Sequence, residues 1–186
     1  MSEIFAYVDD VGKYLEEMPL DMAAKVVSNM DSDDAMDLFE ELSEEDKYKL
    51  LKRLDKDAKE DVQKLLSYEE DQIGSCMTNN YIVVKNDVTI REAMSTLVKQ
   101  AGEHDNIQTL YVIDENGIFA GAIDLKDLII AREHDNLQDI ISSSYPYVYE
   151  HEKISDCMEV LTDYEEDSIP VLTQDKKIAG ILTSSD

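Results

Sequence analysis

The chain has 186 residues, of which 43% are hydrophobic, and its 43 Asp and Glu against 17 Lys and Arg give a formal net charge of −26. The apolar fraction is sufficient for a packed core and argues against wholesale disorder. A surface this negative repels phosphate backbones and anionic lipid headgroups, so nucleic-acid binding and peripheral membrane binding are excluded. Clustered carboxylates instead favour divalent cations, which prefer oxygen ligands.

The two cysteines, Cys76 and Cys157, are far apart in sequence and form no Cys-x-x-Cys motif. This excludes a disulfide scaffold and a thiolate zinc site. The N-terminus has no basic segment followed by an apolar one, and no apolar run approaches the ~18 residues needed to cross a bilayer. We therefore expect this segment to be soluble and cytoplasmic.

The first third of the chain, residues 1–67, is predicted to be a stack of short helices. Apolar residues recur every 12 positions, and each is followed by a residue that favours a helix start. A 12-residue unit is a two-turn helix with a tight turn, and such units can share one core when they stack. The repeated pairs are Met18-Pro19, Met30-Asp31, Leu42-Ser43, Leu54-Asp55 and Leu66-Ser67.

The densest acidic patch lies within this stack and includes Asp31, Asp33, Asp34 and Asp37. Acids in a first helical turn compensate the helix dipole, which explains the first three. Asp33 and Asp37 are four residues apart and share one helix face, where like charges repel unless a cation lies between them. Dipole compensation and metal binding both remain open at this point.

The rest of the chain contains an internal repeat of about 60 residues. The segments 110–127 and 169–186 align without a gap over 18 positions and share a Gly and an Asp, while apolar residues match apolar residues elsewhere. Each copy is predicted to run strand, helix, strand, tight turn, strand, helix. The second copy ends before its last helix.

The first copy carries the clearest signals for individual elements. We predict strands at 81–84, 110–113 and 118–123, a capping box of Thr89 and Glu92 at the start of the helix, and a hairpin turn at Asn116-Gly117. Either Asp124 or Asp127 is predicted to begin the closing helix.

The glycine motif of each copy resembles that of the CBS domain. It appears as Gly180-Ile-Leu-Thr183-Ser-Ser-Asp186 and, modified, as Gly121-Ala-Ile-Asp124-Leu-Lys-Asp127, and two tandem copies resemble a Bateman module. The junction 68–81 (YEEDQIGSCMTNNY) and the 12-residue helical repeats resemble MgtE-type magnesium transporters. The resemblance implies an α+β chain with a helical N domain at 1–67, a first CBS domain at 68–132 and an incomplete second one at 133–186.

In that family the cytosolic part senses Mg²⁺, which binds between acidic faces of the N and CBS domains and favours the closed pore. The resemblance implies a transmembrane pore domain of the same protein as partner, a homodimer formed through the CBS domains, and a location at the cytoplasmic face of the membrane. Two further family ligand positions, commonly acidic, hold Lys153 and Ser155. The positions that match family ligands are Asp33, Asp37, Gly74, Glu165 and Asp186.

The alternative function is adenine-nucleotide sensing, because many CBS pairs bind adenosine phosphates. Lys126, Asp127 and Thr183 are the candidate contacts for ATP. Three features argue against it: an acid replaces the usual hydroxyl residue, and two positions that carry an aromatic for the adenine in related transporters do not have one here. These positions are Asp124, Thr109 and Glu166.

An enzymatic function has little support in the sequence. The three histidines, His104, His134 and His151, have no metal-binding or triad-like neighbours, and the chain has neither a glycine-rich phosphate loop nor a nucleophile elbow. The prediction is that the chain is not an enzyme.

Overall fold

The structure, a computed structural model, describes residues 18–102, 104–163 and 167–183. The chain divides into two compact units, Met1–Glu70 and Asp71–Asp186. Among the described residues, no helix combines the length and the apolar character that crossing a bilayer requires.

The described part of the first unit consists of short helices, as the 12-residue repeat predicts. The predicted starts at Pro19, Asp31, Ser43 and Asp55 are all N-cap positions. At Ser43 and Asp55 the side chain accepts a hydrogen bond from a backbone N–H of the first turn, which satisfies a donor that has no partner within the helix. The helices are α1 (Leu20–Val27), α2 (Ser32–Glu41), α3 (Glu44–Leu51) and α4 (Lys56–Leu65).

These helices bury their apolar faces in one core, with Phe39, Val27 and Val62 almost fully enclosed. The prediction for the last repeat, a helix start at Leu66-Ser67, is wrong. Leu66 is 41% exposed, and no helix begins at Ser67, whose hydroxyl donates instead to the Lys64 carbonyl. No helix follows α4 among the described residues of this unit, so Leu66 has no further helix of the stack to pack against.

The first α/β copy of the second unit has a three-stranded sheet in the order β1-β2-β3. The first pair of strands is parallel and the second antiparallel. The predicted capping box of Thr89 and Glu92 and the hairpin turn, with Gly117 at φ 78°, are both confirmed. The elements are β1 (Ile82–Lys85), α5 (Ile90–Gln100), β2 (Thr109–Ile113), β3 (Phe119–Asp124) and α6 (Leu125–Ile130).

The second copy repeats this arrangement, with the order β4-β5-β6 and the same parallel and antiparallel pairings. A 3-10 turn precedes each copy, at Ile73–Ser75 and at Leu137–Ile140. The elements of the second copy are β4 (Val148–Tyr149), α7 (Ile154–Asp163), β5 (Ser168–Leu172) and β6 (Ile178–Thr183).

The segment that precedes each copy pairs with the sheet of the other copy. Thr78 exchanges two backbone hydrogen bonds with Ile181, at 2.9 and 3.0 Å, and Ser142 exchanges two with Ala122, at 3.1 and 2.8 Å. The two copies are therefore cross-linked by their own connecting segments.

A buried layer of tyrosines fills the space between the two sheets. The ring of Tyr111 is fully buried and meets Tyr81 and Tyr145 edge-on, with ring centroids 6.1 Å apart in both cases. The Tyr111 hydroxyl lies 2.6 Å from the Ser168 hydroxyl, and the Tyr145 hydroxyl donates to the Ser168 carbonyl at 2.8 Å. These bonds satisfy the polar groups that the layer buries.

Candidate divalent-cation site

The acidic patch predicted from the sequence lies on α2, where Asp33, Asp37 and Glu41 follow one another at intervals of four residues along one face. Asp31 occupies the N-cap, but its side chain makes no capping hydrogen bond to the helix. Asp33 and Asp34 lie in the first turn, where their charge opposes the helix dipole. Asp37 and Glu41 lie beyond that turn, so the dipole does not account for them.

Asp33 is half-buried, and its Oδ1 atom is enclosed without a hydrogen-bond partner in the described part of the chain. An enclosed carboxylate oxygen that lacks a donor is costly, and such atoms are rare in native proteins. A bound cation is one of the few groups that can satisfy this oxygen without a protein donor.

The neighbouring carboxyl group, that of Asp37, lies in surroundings that disfavour its ionised form. Its pKa is raised, first by partial burial and then by the charges of Asp33 and Glu41. Each of these effects disfavours the ionised form. A cation at this face would act in the opposite direction and stabilise the carboxylate.

The other predicted ligands fall in the second unit or outside the described residues. Gly74 is buried in the 3-10 turn Ile73–Ser75, and its N–H donates to the Glu150 carbonyl at 2.8 Å. Glu165 and Asp186 lie outside the described residues. Within the ranges that the structure describes, no three or more His, Cys, Asp or Glu side chains come together as a metal site.

Lys153, which stands at a position that the resemblance marks as commonly acidic, forms an ion pair with Asp71. This pair is not predictable from the sequence, because its members are 82 residues apart in the chain. The one signal available was the position of Lys153 as a single cation among Glu150, Glu152 and Asp156.

The candidate nucleotide contacts lie in the glycine motifs of the two copies, where Thr183 corresponds to Asp124 of the first copy. Lys126 and Asp127 are exposed in the first turn of α6, and Thr183 ends β6. Asp124 is the N-cap of α6, and its carboxylate accepts the Lys126 N–H at 2.6 Å. Asp124 therefore begins this helix and keeps a negative charge beside the candidate contacts.

Comparison with protein-family models identifies both parts of the chain. Residues 1–71 match the MgtE intracellular N domain, and residues 73–134 and 137–186 each match the CBS domain. The predicted fold class, a helical stack followed by a tandem CBS module, is confirmed.

Relatives and solved structures agree with these matches. The magnesium transporter MgtE of Thermus thermophilus is 30% identical over 69% of this chain, and the aligned part is 28% of that transporter's length. A crystal structure of the soluble part of a magnesium transporter superposes with a TM-score of 0.93 at 28% identity, covering 99% of this chain and 73% of that one. The cytosolic domain of the Mg²⁺ channel MgtE in complex with ATP superposes with a TM-score of 0.87 at 25% identity, covering 99% and 76%.

The chain thus spans little more than a quarter of the transporter that it matches. Both of these solved structures match 99% of this chain and are parts of a magnesium transporter or channel, and the prediction that the chain is not an enzyme is confirmed. The chain belongs to the MgtE family, in which an intracellular N domain precedes a pair of CBS domains.

Proposed function

We propose that the chain is the Mg²⁺-sensing regulatory part of a magnesium transporter or channel. In this proposal Mg²⁺ binds between the acidic face of α2 and the CBS domains and favours the closed pore. The observation that carries the proposal is the enclosed Oδ1 of Asp33, which has no hydrogen-bond donor among the described residues and lies four residues before a carboxyl group with a raised pKa. Mg²⁺ usually keeps several waters and binds through one or two carboxylates, so a pair of acids is a sufficient anchor.

The proposed ligand set joins residues of both units. Asp33 and Asp37 supply carboxylates from the N domain, and Glu165 and Asp186 supply them from the second CBS domain. Gly74 offers a backbone carbonyl. With a net charge of −26, two acidic surfaces that approach each other repel, and divalent cations between them relieve this repulsion.

We further propose the partners and the location that this role requires. The pore would be a membrane domain of the same protein, which places this part at the cytoplasmic face of the membrane. A homodimer formed through the CBS domains has support in an apolar groove of about 440 Å³ between α5 and α6. Ile129, which lines the groove, is 61% exposed, and two apolar residues of the same helices, Ile130 and Val98, are 67% and 69% exposed. Exposed apolar patches of this kind commonly mark association surfaces.

The experiment that tests the Mg²⁺ role is small-angle scattering during a Mg²⁺ titration. We expect the radius of gyration to fall between EDTA and roughly 10–20 mM Mg²⁺, the range for weak carboxylate sites. Asp33→Asn and Asp186→Asn should each weaken this compaction. Because the two residues would share an ion, the double variant should lose less than the sum of the single losses.

Two controls make the result specific. NaCl at matched ionic strength separates ion binding from screening of self-repulsion. The protein used should extend beyond Asp186, so that a terminal carboxylate does not replace a ligand. An identical radius of gyration in EDTA and Mg²⁺, or strictly additive effects of the two substitutions, would contradict the proposal.

A second candidate function, adenine-nucleotide sensing, is favoured by the ATP complex of the similar MgtE cytosolic domain. Lys126, Asp127 and Thr183 are the proposed contacts. The Asp124 carboxylate lies at the start of the same helix turn as Lys126 and would repel a phosphate. We therefore expect this chain to bind ATP weakly or not at all.

Replacing Asp124 with serine should tighten ATP binding by about three- to fivefold, because it removes one exposed like charge. Serine also retains the N-cap function. Calorimetry with ATP in EDTA is the measurement, and adenosine, which has no phosphate, serves as the control ligand that the substitution should not affect. Micromolar affinity of the unmodified chain for ATP without Mg²⁺ would overturn the expectation and favour the second function.

A further inference from the structure

The edge strands of the two CBS sheets differ in how their outer backbone groups are satisfied. A strand at the edge of a sheet leaves N–H and C=O groups without a neighbouring strand, and folded proteins pair or cover them. On β3 and β6 the connecting segments bond to the backbone of Ala122 and Ile181. On β4 the Tyr149 N–H donates to the Glu152 carboxylate at 2.8 Å.

On β1 the outer edge is covered by the side chain of Gln100, the last residue of α5. The Asn86 N–H, just after β1, donates inward to β2, and strand alternation therefore directs the backbone groups of Val83 outward. The Gln100 amide accepts the Val83 N–H at 3.1 Å and donates to the Val83 carbonyl at 3.0 Å. A side-chain amide offers the same donor and acceptor as a peptide group, so Gln100 takes the place of one residue of a further strand.

The edge that Gln100 covers is complementary to itself. β1 has the sequence Ile-Val-Val-Lys, and an apolar strand of this kind pairs readily with another edge. In an antiparallel pair of two β1 strands centred on Val83, each copy of the chain would supply one N–H and one C=O, so both hydrogen bonds form together. Lys85 would face Tyr81 across this pair and not a second Lys85, so no like charges would oppose it.

We propose that Gln100 is an edge cap, a side-chain amide that occupies the outer edge of β1 and keeps the first CBS sheet from adding the β1 strand of a second copy of the chain. The cap forms within one chain and therefore avoids the entropic cost of association. The net charge of −26 also opposes a second copy. The edge cap concerns a sheet edge and not the groove between α5 and α6, and it requires neither Mg²⁺ nor a nucleotide.

The first test is amide hydrogen exchange, measured by NMR on the full chain in EDTA and ~0.15 M NaCl, where charge repulsion is screened beyond about 8 Å. In Gln100→Ala the exchange of the Val83 amide should rise by about two- to tenfold, the range for the net loss of one hydrogen bond. Gln138→Ala is the matched control, because the Gln138 side chain donates at 2.6 Å to the Asn86 carbonyl, past the end of β1. This control should leave the exchange of Val83 unchanged.

The second test is sedimentation velocity over a range of protein concentrations in the same buffer. Gln100→Ala should show an additional larger species, seen as a sedimentation coefficient that rises with concentration more steeply than in the unmodified chain or in Gln138→Ala. Val83→Pro, added to Gln100→Ala, removes the N–H donor at an outer position of an edge strand, where proline is tolerated, and should abolish this species. A contact through the groove between α5 and α6 would remain in all four proteins, so the proposed homodimer is tested separately.

Gln100→Met keeps the length of the side chain and removes only its hydrogen bonds, so it gives a result even if Gln100→Ala does not fold. The exchange of Val83 should rise in Gln100→Met as in Gln100→Ala. Unchanged exchange of Val83 in the folded Gln100 variants would overturn the proposal. The proposal is equally wrong if folded Gln100→Ala shows no added association, or if the added species survives Val83→Pro.

Discussion

Replacing Gly121 with alanine should destabilise the CBS pair by about 2–6 kcal/mol, because two separate costs of roughly 1–3 kcal/mol each coincide. Gly121 has φ 142°, in a region that residues with a side chain rarely adopt. A Cβ atom there would lie 2.5 Å from the Ser142 carbonyl oxygen, and Ser142 belongs to the segment that crosses from the other copy. The substitution thus strains the backbone. It also pushes β3 away from the segment around Ser142, which weakens the two backbone hydrogen bonds that join Ala122 and Ser142.

Two other glycines provide a graded control for this prediction. At Gly180 a Cβ would lie 2.8 Å from the Thr78 carbonyl oxygen, but no positive φ adds strain, so alanine should cost only about 1–3 kcal/mol. At Gly102 no atom of the described residues lies within 4 Å of the added Cβ, and alanine should be neutral or stabilise by roughly 0.4–1 kcal/mol through the unfolded state. Scanning calorimetry is the measurement, and the transition of the N-terminal unit should not move. Equal effects at Gly121 and Gly102 would contradict the role of the crossing segments.

The internal repeat allowed much of this fold to be predicted from the sequence. Leu110 and Val112 alternate with Tyr111, which indicates a strand with two different faces, and the structure places the first two in the helix-covered core and Tyr111 in the layer between the copies. The expected first strand began at Tyr81, whereas β1 begins at Ile82. The reason is a tertiary contact, since the Tyr81 ring packs edge-on against Tyr111 just before the strand begins.

The crossing of the connecting segments could not be predicted, because it pairs residues that are distant in sequence. Nothing in the sequence around Thr78 or Ser142 marks either as a partner of the opposite sheet. The signal in the sequence is that Gly121 and Gly180 occupy the same position of the internal repeat, which indicates a shared motif but does not reveal a close backbone approach. Its physical reason appears only when the facing carbonyl oxygens are known.

The candidate site, like the fold, could be predicted only in part from the sequence. Four-residue spacing placed Asp33 and Asp37 on one helix face, and the helix bears this out. The enclosure of the Asp33 Oδ1 atom depends on the packing of α2 within its unit, which the spacing of acids does not reveal. The ion pair of Lys153 with Asp71 likewise depends on backbone hydrogen bonds between residues 71–74 and 150–154, so it could not be found by searching for local charge patterns.

Replacing Asp37 with asparagine should have opposite effects on stability in the absence and presence of Mg²⁺. The pKa of Asp37 is raised by partial burial and by the charges of Asp33 and Glu41, so the folded N-terminal unit holds this proton more tightly than the unfolded chain does. The stabilising contribution of protonated Asp37 to the free energy of unfolding is therefore fully present below its ordinary pKa of 3.8. This contribution is lost as the pH rises through the raised pKa of the folded state. At pH 7 in EDTA the neutral amide removes this penalty, and the melting temperature of the N-terminal unit should rise.

In Mg²⁺ the same substitution removes a proposed ligand. The unmodified protein should gain about 1.4 kcal/mol at a Mg²⁺ concentration ten times the dissociation constant, and Asp37→Asn should lose most of this gain. Asp57→Asn is the matched control, because Asp57 is an exposed acid in the first turn of α4 in the same unit. It changes the net charge equally and should leave the Mg²⁺ gain intact. Calorimetry at pH 7 with EDTA, Mg²⁺ or NaCl of equal ionic strength measures both the rise in melting temperature without Mg²⁺ and the loss of the Mg²⁺ gain. If Asp37→Asn lowers stability in EDTA, the acidic face is not strained; if it keeps the full Mg²⁺ gain, Asp37 is not a ligand.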